Sequence, residues 1–327
     1  MSAAITHCIS LESIEAARGR ISSLIKRTPI ITSGTMNELS GRELFFKSEF
    51  LQKTGSFKAR GASNAVFKND YHAVVTHSSG NHGQALSWAA KKRNIPAYIV
   101  MPSTSPACKV NAVKSYGGVV TFCEPTLAAR EATSKAIMEE TGAVFVHPYN
   151  DPDVMSGQGT IALELLEQVQ HLDAIIVPVG GGGMCSGVAI AAKSLRPDII
   201  IIGAEPALAD DAYRSLQAGV LVGNDCAPQT IADGLKTNLG DNTWPIVKSY
   251  VDDIITVTED EIKENLFMMY ERCKTVLEPS AAVGVAVVTG STFKSKWSHL
   301  KRVGVILCGG NIDLTTLANH FNGLDKK

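Results

Sequence analysis

Short apolar, β-branched runs alternate with helix-length segments over most of the chain. The first amphipathic stretch is 11–26, where Leu11, Ile14, Ala17, Ile21, Leu24 and Ile25 recur at helical spacing behind Ser10, a residue type that caps helix starts. Strands are expected at 43–48, 73–77, 97–101, 119–123 and 143–147, then at 174–179, 199–204, 253–257 and 303–308. Helix-length segments separate the strands from 73 to 147. Ile175-Ile176-Val177 and Ile199-Ile200-Ile201-Ile202 are apolar without alternation, as strands buried on both faces of a helix-covered parallel sheet read. The pattern predicts an α/β chain with two doubly wound, mostly parallel domains. The expected division is a small domain at 69–150 and a large one formed by 1–68 and 151–327. Ligands of such sheets lie beyond the carboxyl ends of the strands.

Composition narrows the classes. The chain has 327 residues, 45% of them apolar, and a formal net charge of −1. A sizeable core is expected, and nucleic acid or an anionic membrane face is not expected as a partner. No apolar run approaches the ~18 residues of a membrane span. The first eight residues have neither the basic region nor the apolar core of a signal peptide, so a cytoplasmic protein is expected. The seven cysteines are scattered without a C-x-x-C pair, which reads as reduced thiols.

Three segments carry candidate chemistry. Gly180-Gly181-Gly182-Gly183 lies between a buried strand and a helix, where backbone N–H groups and the helix dipole would hold a phosphate. A flexible connector is the plain alternative. A dinucleotide fingerprint fails because Cys185 stands where its third glycine belongs, and no Gly-Lys-Ser/Thr of a P-loop follows. Lys58 follows Gly55-Ser56-Phe57 at a helix start after an apolar strand. Most lysines are solvated surface charges, but desolvation here would favour the neutral, nucleophilic amine. Ser78-Ser79-Gly80-Asn81-His82-Gly83 opens another helix. Its residues are ordinary caps taken singly; together they offer convergent donors to a substrate carboxylate. An amine, a polar clamp and a phosphate cradle are the minimum set for pyridoxal phosphate.

In this order and spacing the segments resemble the fold-type-II (tryptophan synthase β-like) pyridoxal-phosphate enzymes. The nearest resemblance is to the branch holding eukaryotic serine racemases and serine/threonine dehydratases. It runs from Thr28-Pro29 to Gly309-Gly310-Asn311, through Gly157-Gln158-Gly159-Thr160, Thr230-Ile231-Ala232-Asp233-Gly234 and Asp252-Asp253-Ile254. The resemblance implies that Lys58 holds the cofactor and takes the α-proton on one face, with Ser79 as acid/base on the other. It implies that Asn81 meets the phenolic oxygen of the cofactor, Gly180 to Gly183 its phosphate and Cys308 its pyridine nitrogen; a buried core thiol is the plain reading of Cys308. Substrate contacts are implied for Ser78, Ser79, Asn81, His82, Arg130, Tyr149 and Thr237. Tyr149 and Thr237 depart from the asparagine and serine of vertebrate relatives, which bears on the choice of hydroxy-amino acid. Glu205, Asp211 and the Ala209 carbonyl match a Mg²⁺ or Ca²⁺ site, with a solvated acidic loop as the alternative. ATP, as an allosteric activator, is implied at Ser33, Gly34, Thr35, Lys53, Thr54, Gln84, Tyr116 and Lys274. The resemblance also implies a homodimer acting on a small amino acid.

The expected activity is racemisation of L-serine to D-serine with β-elimination to pyruvate and ammonia. Within the enzyme class the alternative is a serine/threonine or 3-hydroxyaspartate dehydratase with little racemisation. A metabolite-binding regulatory protein that kept the fold without its chemistry is the alternative from another class.

Overall fold

The computed structural model describes residues 7–78 and 80–322. Ten strands form two sheets. They are β1 (Ile30–Ile31), β2 (Glu43–Ser48), β3 (Val74–His77), β4 (Ala97–Pro102), β5 (Val119–Cys123), β6 (Val144–Phe145), β7 (Ala174–Pro178), β8 (Ile200–Pro206), β9 (Asp253–Val257) and β10 (Arg302–Leu307). The larger sheet has the order β1-β2-β10-β7-β8-β9 and the smaller β5-β4-β3-β6. Only the short edge strand β1 runs antiparallel, against β2. It was not foreseen, because two apolar residues carry no period.

Centre strands follow from their side chains. Ile175, Ile176 and Val177 are fully buried, with Ile176 paired to Ile202 on one side and Val305 on the other. The chain starts the larger sheet, crosses by helix Lys58–Lys68, builds the smaller sheet, and returns by helix Pro152–Gln168. Those two helices cross closely at Gly61 and Gly157. A Cβ on Gly157 would lie 2.6 Å from the Gly61 Cα, so only hydrogen fits between the two backbones.

A charge network is buried in the same crossing. Arg60 gives two N–H groups to Glu49 at 2.8 and 2.7 Å and two to Glu164 at 2.7 and 2.8 Å. Lys47 reaches Glu164 at 2.6 Å, Gln168 at 2.8 Å and the Thr28 carbonyl at 2.9 Å. Two cations thus balance two carboxylates, with their hydrogen bonds made by protein.

Two expected elements are shorter than the pattern indicates. The first helix is Leu11–Ile21, capped by Ser10, which forms a reciprocal box with Ser13. It stops short of Lys26, whose N–H turns to Gln52 Oε1 at 2.9 Å. Strand β6 ends at Phe145 rather than 147. Pro148 has no N–H to continue a ladder, and the His147 ring takes the N–H groups of Tyr149 and Asn150 instead, at 3.3 and 3.0 Å. No helix among the described residues is long and apolar enough to cross a membrane.

Candidate active site

Carboxyl ends of both sheets face one cleft, and three helix starts open onto it. Lys58 begins helix Lys58–Lys68, Asn81 begins helix Asn81–Arg93 and Gly183 begins helix Gly183–Leu195. None of the three has a side-chain N-cap bond. Their first-turn N–H groups are therefore not taken by a local side chain, which leaves donors and a positive dipole end for an anion. Helix Pro152–Gln168, by contrast, is capped by Asp151, and helix Glu259–Cys273 by Thr258.

Lys58 is partly buried, and its Nζ donates to the Pro148 carbonyl at 2.7 Å. Burial lowers its pKa to about 8, against the opposing pull of the Glu278 carboxylate. Near neutral pH a useful fraction is the free amine. Pro148 is held by the turn that His147 ties. Burial, followed by the charges of His77 and Lys58, pushes His147 down to about 4, so its ring is neutral and Nδ1 accepts.

The glycine run is buried throughout. A Cβ on Gly181 would enter the Tyr149 ring at 2.3 Å, and one on Gly180 would lie 2.9 Å from the Leu235 Cα. Thr243 Oγ1 donates to the Gly181 carbonyl at 2.8 Å, fixing the loop from below. Leu235 and Leu239 flank Thr237, which is exposed on the same covering segment. Tyr149 therefore packs directly on the cradle, edge-on to His147 at 4.5 Å between ring centres.

Around Asn81 the polar atoms are tightly engaged. Its Nδ2 donates to Glu278 Oε1 and Oε2 at 2.9 and 3.0 Å, and its Oδ1 accepts from Asn311 Nδ2 at 2.9 Å. Glu278 is buried; burial, and next the Asp233 carboxylate, push its pKa up to about 7. Cys308 Sγ lies 3.9 Å from Glu278 Oε1, and burial raises its pKa so that the thiol stays protonated. His82 is buried and neutral, with Nε2 on the Val146 carbonyl at 3.1 Å and Nδ1 unpartnered among the described residues. Its free ring atom is an acceptor, so a carboxylate would meet the His82 main-chain N–H rather than the ring.

Ser78 hydrogen bonds the Gly80 N–H through its hydroxyl at 3.3 Å. Ser79 lies outside the described residues. Arg130 stands on helix Leu127–Thr141, close enough to lower the pKa of His77, and its Nε is buried without a partner among the described residues. Glu278 and Lys109 were not singled out from sequence, and Asn311 and Asp233 entered only within stretches shared with the family, without a role. Lys109 pairs with Asp233 across the cleft and stands 3.8 Å from where a Gly80 Cβ would be. The Glu-Pro that opens helix Pro279–Thr289 was the only local signal for Glu278.

Two further clusters hold the remaining candidates. Glu205 accepts from the Ala212 and Tyr213 N–H groups at 3.0 and 2.8 Å, and Asp211 from Asn224 Nδ2 and the Leu239 N–H at 2.9 and 2.8 Å. Burial and then Asp211 raise Glu205 to about 9; burial raises Asp211 to about 6. Ala209 is buried in the turn between them. Of the nucleotide candidates, Ser33 caps helix Gly34–Ser40, which carries Thr35, and lies close enough to Cys273, the neighbour of Lys274, to bear on its pKa. Lys53 and Thr54 form a 3-10 turn against the helix that carries buried Gln84. Tyr116 lines a cavity of about 490 Å³ with Trp88, Lys91, Lys92 and Asn94.

A phosphate cradle, an amine with a lowered pKa and a buried Ser56 Oγ without a partner among the described residues fit pyridoxal phosphate. The class is thus a pyridoxal-phosphate enzyme of fold type II, and the family model described as pyridoxal-phosphate dependent enzyme matches residues 21–309. The chain belongs to that family, in the group of the serine racemases. It is 51% identical to human serine racemase over 317 residues, covering 95% of this chain and 93% of the relative. The solved maize serine racemase superposes with a TM-score of 0.93 at 46% identity, covering 98% of this chain and 99% of the other. A threonine deaminase from Solanum lycopersicum superposes at 0.89 with 30% identity, covering 96% and 87% of the two chains.

Proposed function

We propose that this enzyme racemises serine and also eliminates water from it to give pyruvate and ammonia. The observation that carries the reading is the Lys58 amine, lowered to about 8 and opening onto a cleft between the glycine cradle and the start of helix Asn81–Arg93. Kinship to serine racemases points the same way, and the threonine deaminase likeness supports the elimination branch.

Bound pyridoxal phosphate supplies the electron sink that acidifies the substrate's α-carbon. The glycine N–H groups and the start of helix Gly183–Leu195 hold its phosphate. Asn81 would donate to its phenolic oxygen, and the protonated Cys308 thiol would meet its pyridine nitrogen. A neutral thiol is a weak donor and does not hold that nitrogen protonated. The substrate carboxylate takes the N–H groups of the Ser78–His82 segment, with Arg130, Tyr149 and Thr237 around it. Lys58 removes the α-proton from one face and Ser79 delivers one to the other. Two groups are required, because inversion takes a proton from one side and returns it on the opposite side. Elimination needs one base and a protonated leaving hydroxyl, so the same site serves both reactions.

The proposal extends to the two-domain division at 69–150, to a homodimer and to a cytoplasmic place of action. It also includes Mg²⁺ or Ca²⁺ at Glu205, Asp211 and the Ala209 carbonyl. Two buried carboxylates, both raised by burial and Glu205 also by the Asp211 charge, support this, since a cation would offset their desolvation. ATP is proposed as an activator through Ser33, Gly34, Thr35, Lys53, Thr54, Gln84, Tyr116 and Lys274, on the family resemblance. The test is purified enzyme with pyridoxal phosphate, Mg²⁺ and L-serine, with and without ATP, followed by chiral chromatography. D-serine with pyruvate is expected; pyruvate alone would make the enzyme a dehydratase.

A further inference from the structure

At Asn81 the orientation of the side-chain amide matters, because one end donates and the other accepts. A chain of hydrogen bonds settles which end faces which way. It starts at the Thr54 carbonyl, which can only accept. Asn311 Nδ2 donates to it at 2.7 Å and to Asn81 Oδ1 at 2.9 Å, so both Asn311 hydrogens are committed. Asn81 must then turn Nδ2 towards Glu278, whose carboxylate accepts at 2.9 and 3.0 Å. The two carboxylate oxygens are too close in angle to take one hydrogen each from a single trigonal nitrogen. One hydrogen spans both, and the second is left for a ligand oxygen.

The ends of this chain are anchored in backbone. Thr54 adopts φ 58, in the left-handed region, and a Cβ on the following Gly55 would lie 2.3 Å from Asn311 Oδ1. The Gly310 N–H donates to the Gly55 carbonyl and the Phe57 N–H to the Cys308 carbonyl, each at 3.0 Å. The Glu278 carboxylate lies against Gly309, where a Cβ would be 2.5 Å from Oε1. The strand end that carries Cys308 and the turn that leads to Lys58 thus set the direction of the Asn81 amide.

We propose that Asn311 and Glu278 are positioning residues that lock the Asn81 amide with its nitrogen as the group presented to the cofactor. This rests on the reading of Asn81 as the partner of the cofactor's phenolic oxygen. The test compares Asn311→Asp, Glu278→Gln and the double variant with the unaltered enzyme. Aspartate at 311 has only acceptors; together with a glutamine at 278 it lets the chain reverse between 311 and 278 at unchanged total charge, while the Thr54 carbonyl loses its donor. Affinity for pyridoxal phosphate by equilibrium dialysis, the visible absorbance of the bound cofactor and the thermal midpoint are measured on each. Asn311→Asp is expected to weaken cofactor binding about tenfold and shift the absorbance band. The double variant is expected to regain part of the thermal stability lost in Asn311→Asp but not the affinity or the band. Recovery of all three together would show a purely structural role and overturn the proposal, as would wild-type affinity and absorbance in both single variants. Where Asn311→Asp does not fold, Glu278→Gln and the double variant decide by the same two spectral and affinity measures. Failure of the unaltered enzyme to bind pyridoxal phosphate would instead overturn the functional reading itself.

Discussion

At the scale of single residues, Lys58 is governed by its surroundings rather than by its type. An ordinary lysine is ammonium up to about pH 10.4, whereas burial brings this one to about 8. Because the pKa is lowered, the neutral amine gains as pH rises through about 8 and is lost as pH falls below it. Capture of pyridoxal phosphate by cofactor-free enzyme is therefore expected to accelerate with pH, with a midpoint about 8, in stopped-flow absorbance. A midpoint near 10 would mean that Lys58 is not desolvated. Lys58→Ala is expected to abolish racemisation, elimination and the visible absorbance together. Ser79→Ala is expected to cripple racemisation while sparing more of L-serine elimination; equal loss of both, measured by chiral product analysis, would remove its assignment as second base.

Among elements, close approach decides what the glycine-rich segments do. In Gly180-Gly181-Gly182-Gly183 the sequence shows a bend before a helix, but the reason for Gly181 is the Tyr149 ring lying where its Cβ would be. Gly181→Ala is expected to displace ring or loop and to weaken pyridoxal phosphate at least about tenfold in equilibrium dialysis; unchanged affinity would mean that the ring yields without moving the cradle. Gly157 sits in a stretch legible as a family motif, yet its physical reason is the Gly61 backbone across the helix crossing. Gly157→Ala is expected to cost about 1–3 kcal/mol in urea unfolding. Ser10 was legible as a cap because the signal is local, and the box it forms with Ser13 bears that out.

Across the molecule, the Lys47–Glu49–Arg60–Glu164 network joins strand β2, helix Lys58–Lys68 and helix Pro152–Gln168, the framework from which Lys58 projects. Removing one carboxylate leaves a buried cation uncompensated. Glu164→Ala is therefore expected to lower stability by about 3–5 kcal/mol in chemical denaturation, with a loss below about 1 kcal/mol showing that water enters the site. Between the two sheets, contacts are polar and few-atomed: Lys58 to Pro148, Asn81 to Glu278 and Asn311, Lys109 to Asp233. Such contacts join residues far apart in the chain.

The sequence by itself determined the α/β class and nine of the ten described strands to within a few residues, and it marked the amine, cradle and clamp segments as candidates. These signals are local: apolar runs, helical spacing, and glycine or serine at turns. Pro148 ended β6 early because it lacks an N–H, a local signal that the apolar run outweighed. Only the tertiary structure decided that Glu278 and Asn311 meet at Asn81, that Lys109 faces Asp233, and that Tyr149 lies on Gly181. No period or spacing encodes such meetings, because they depend on the relative placement of two sheets whose strands are separated by dozens of residues. The shift in the Lys58 pKa belongs to the same set, since burial is a property of the assembled cleft and not of the residues beside it in the chain.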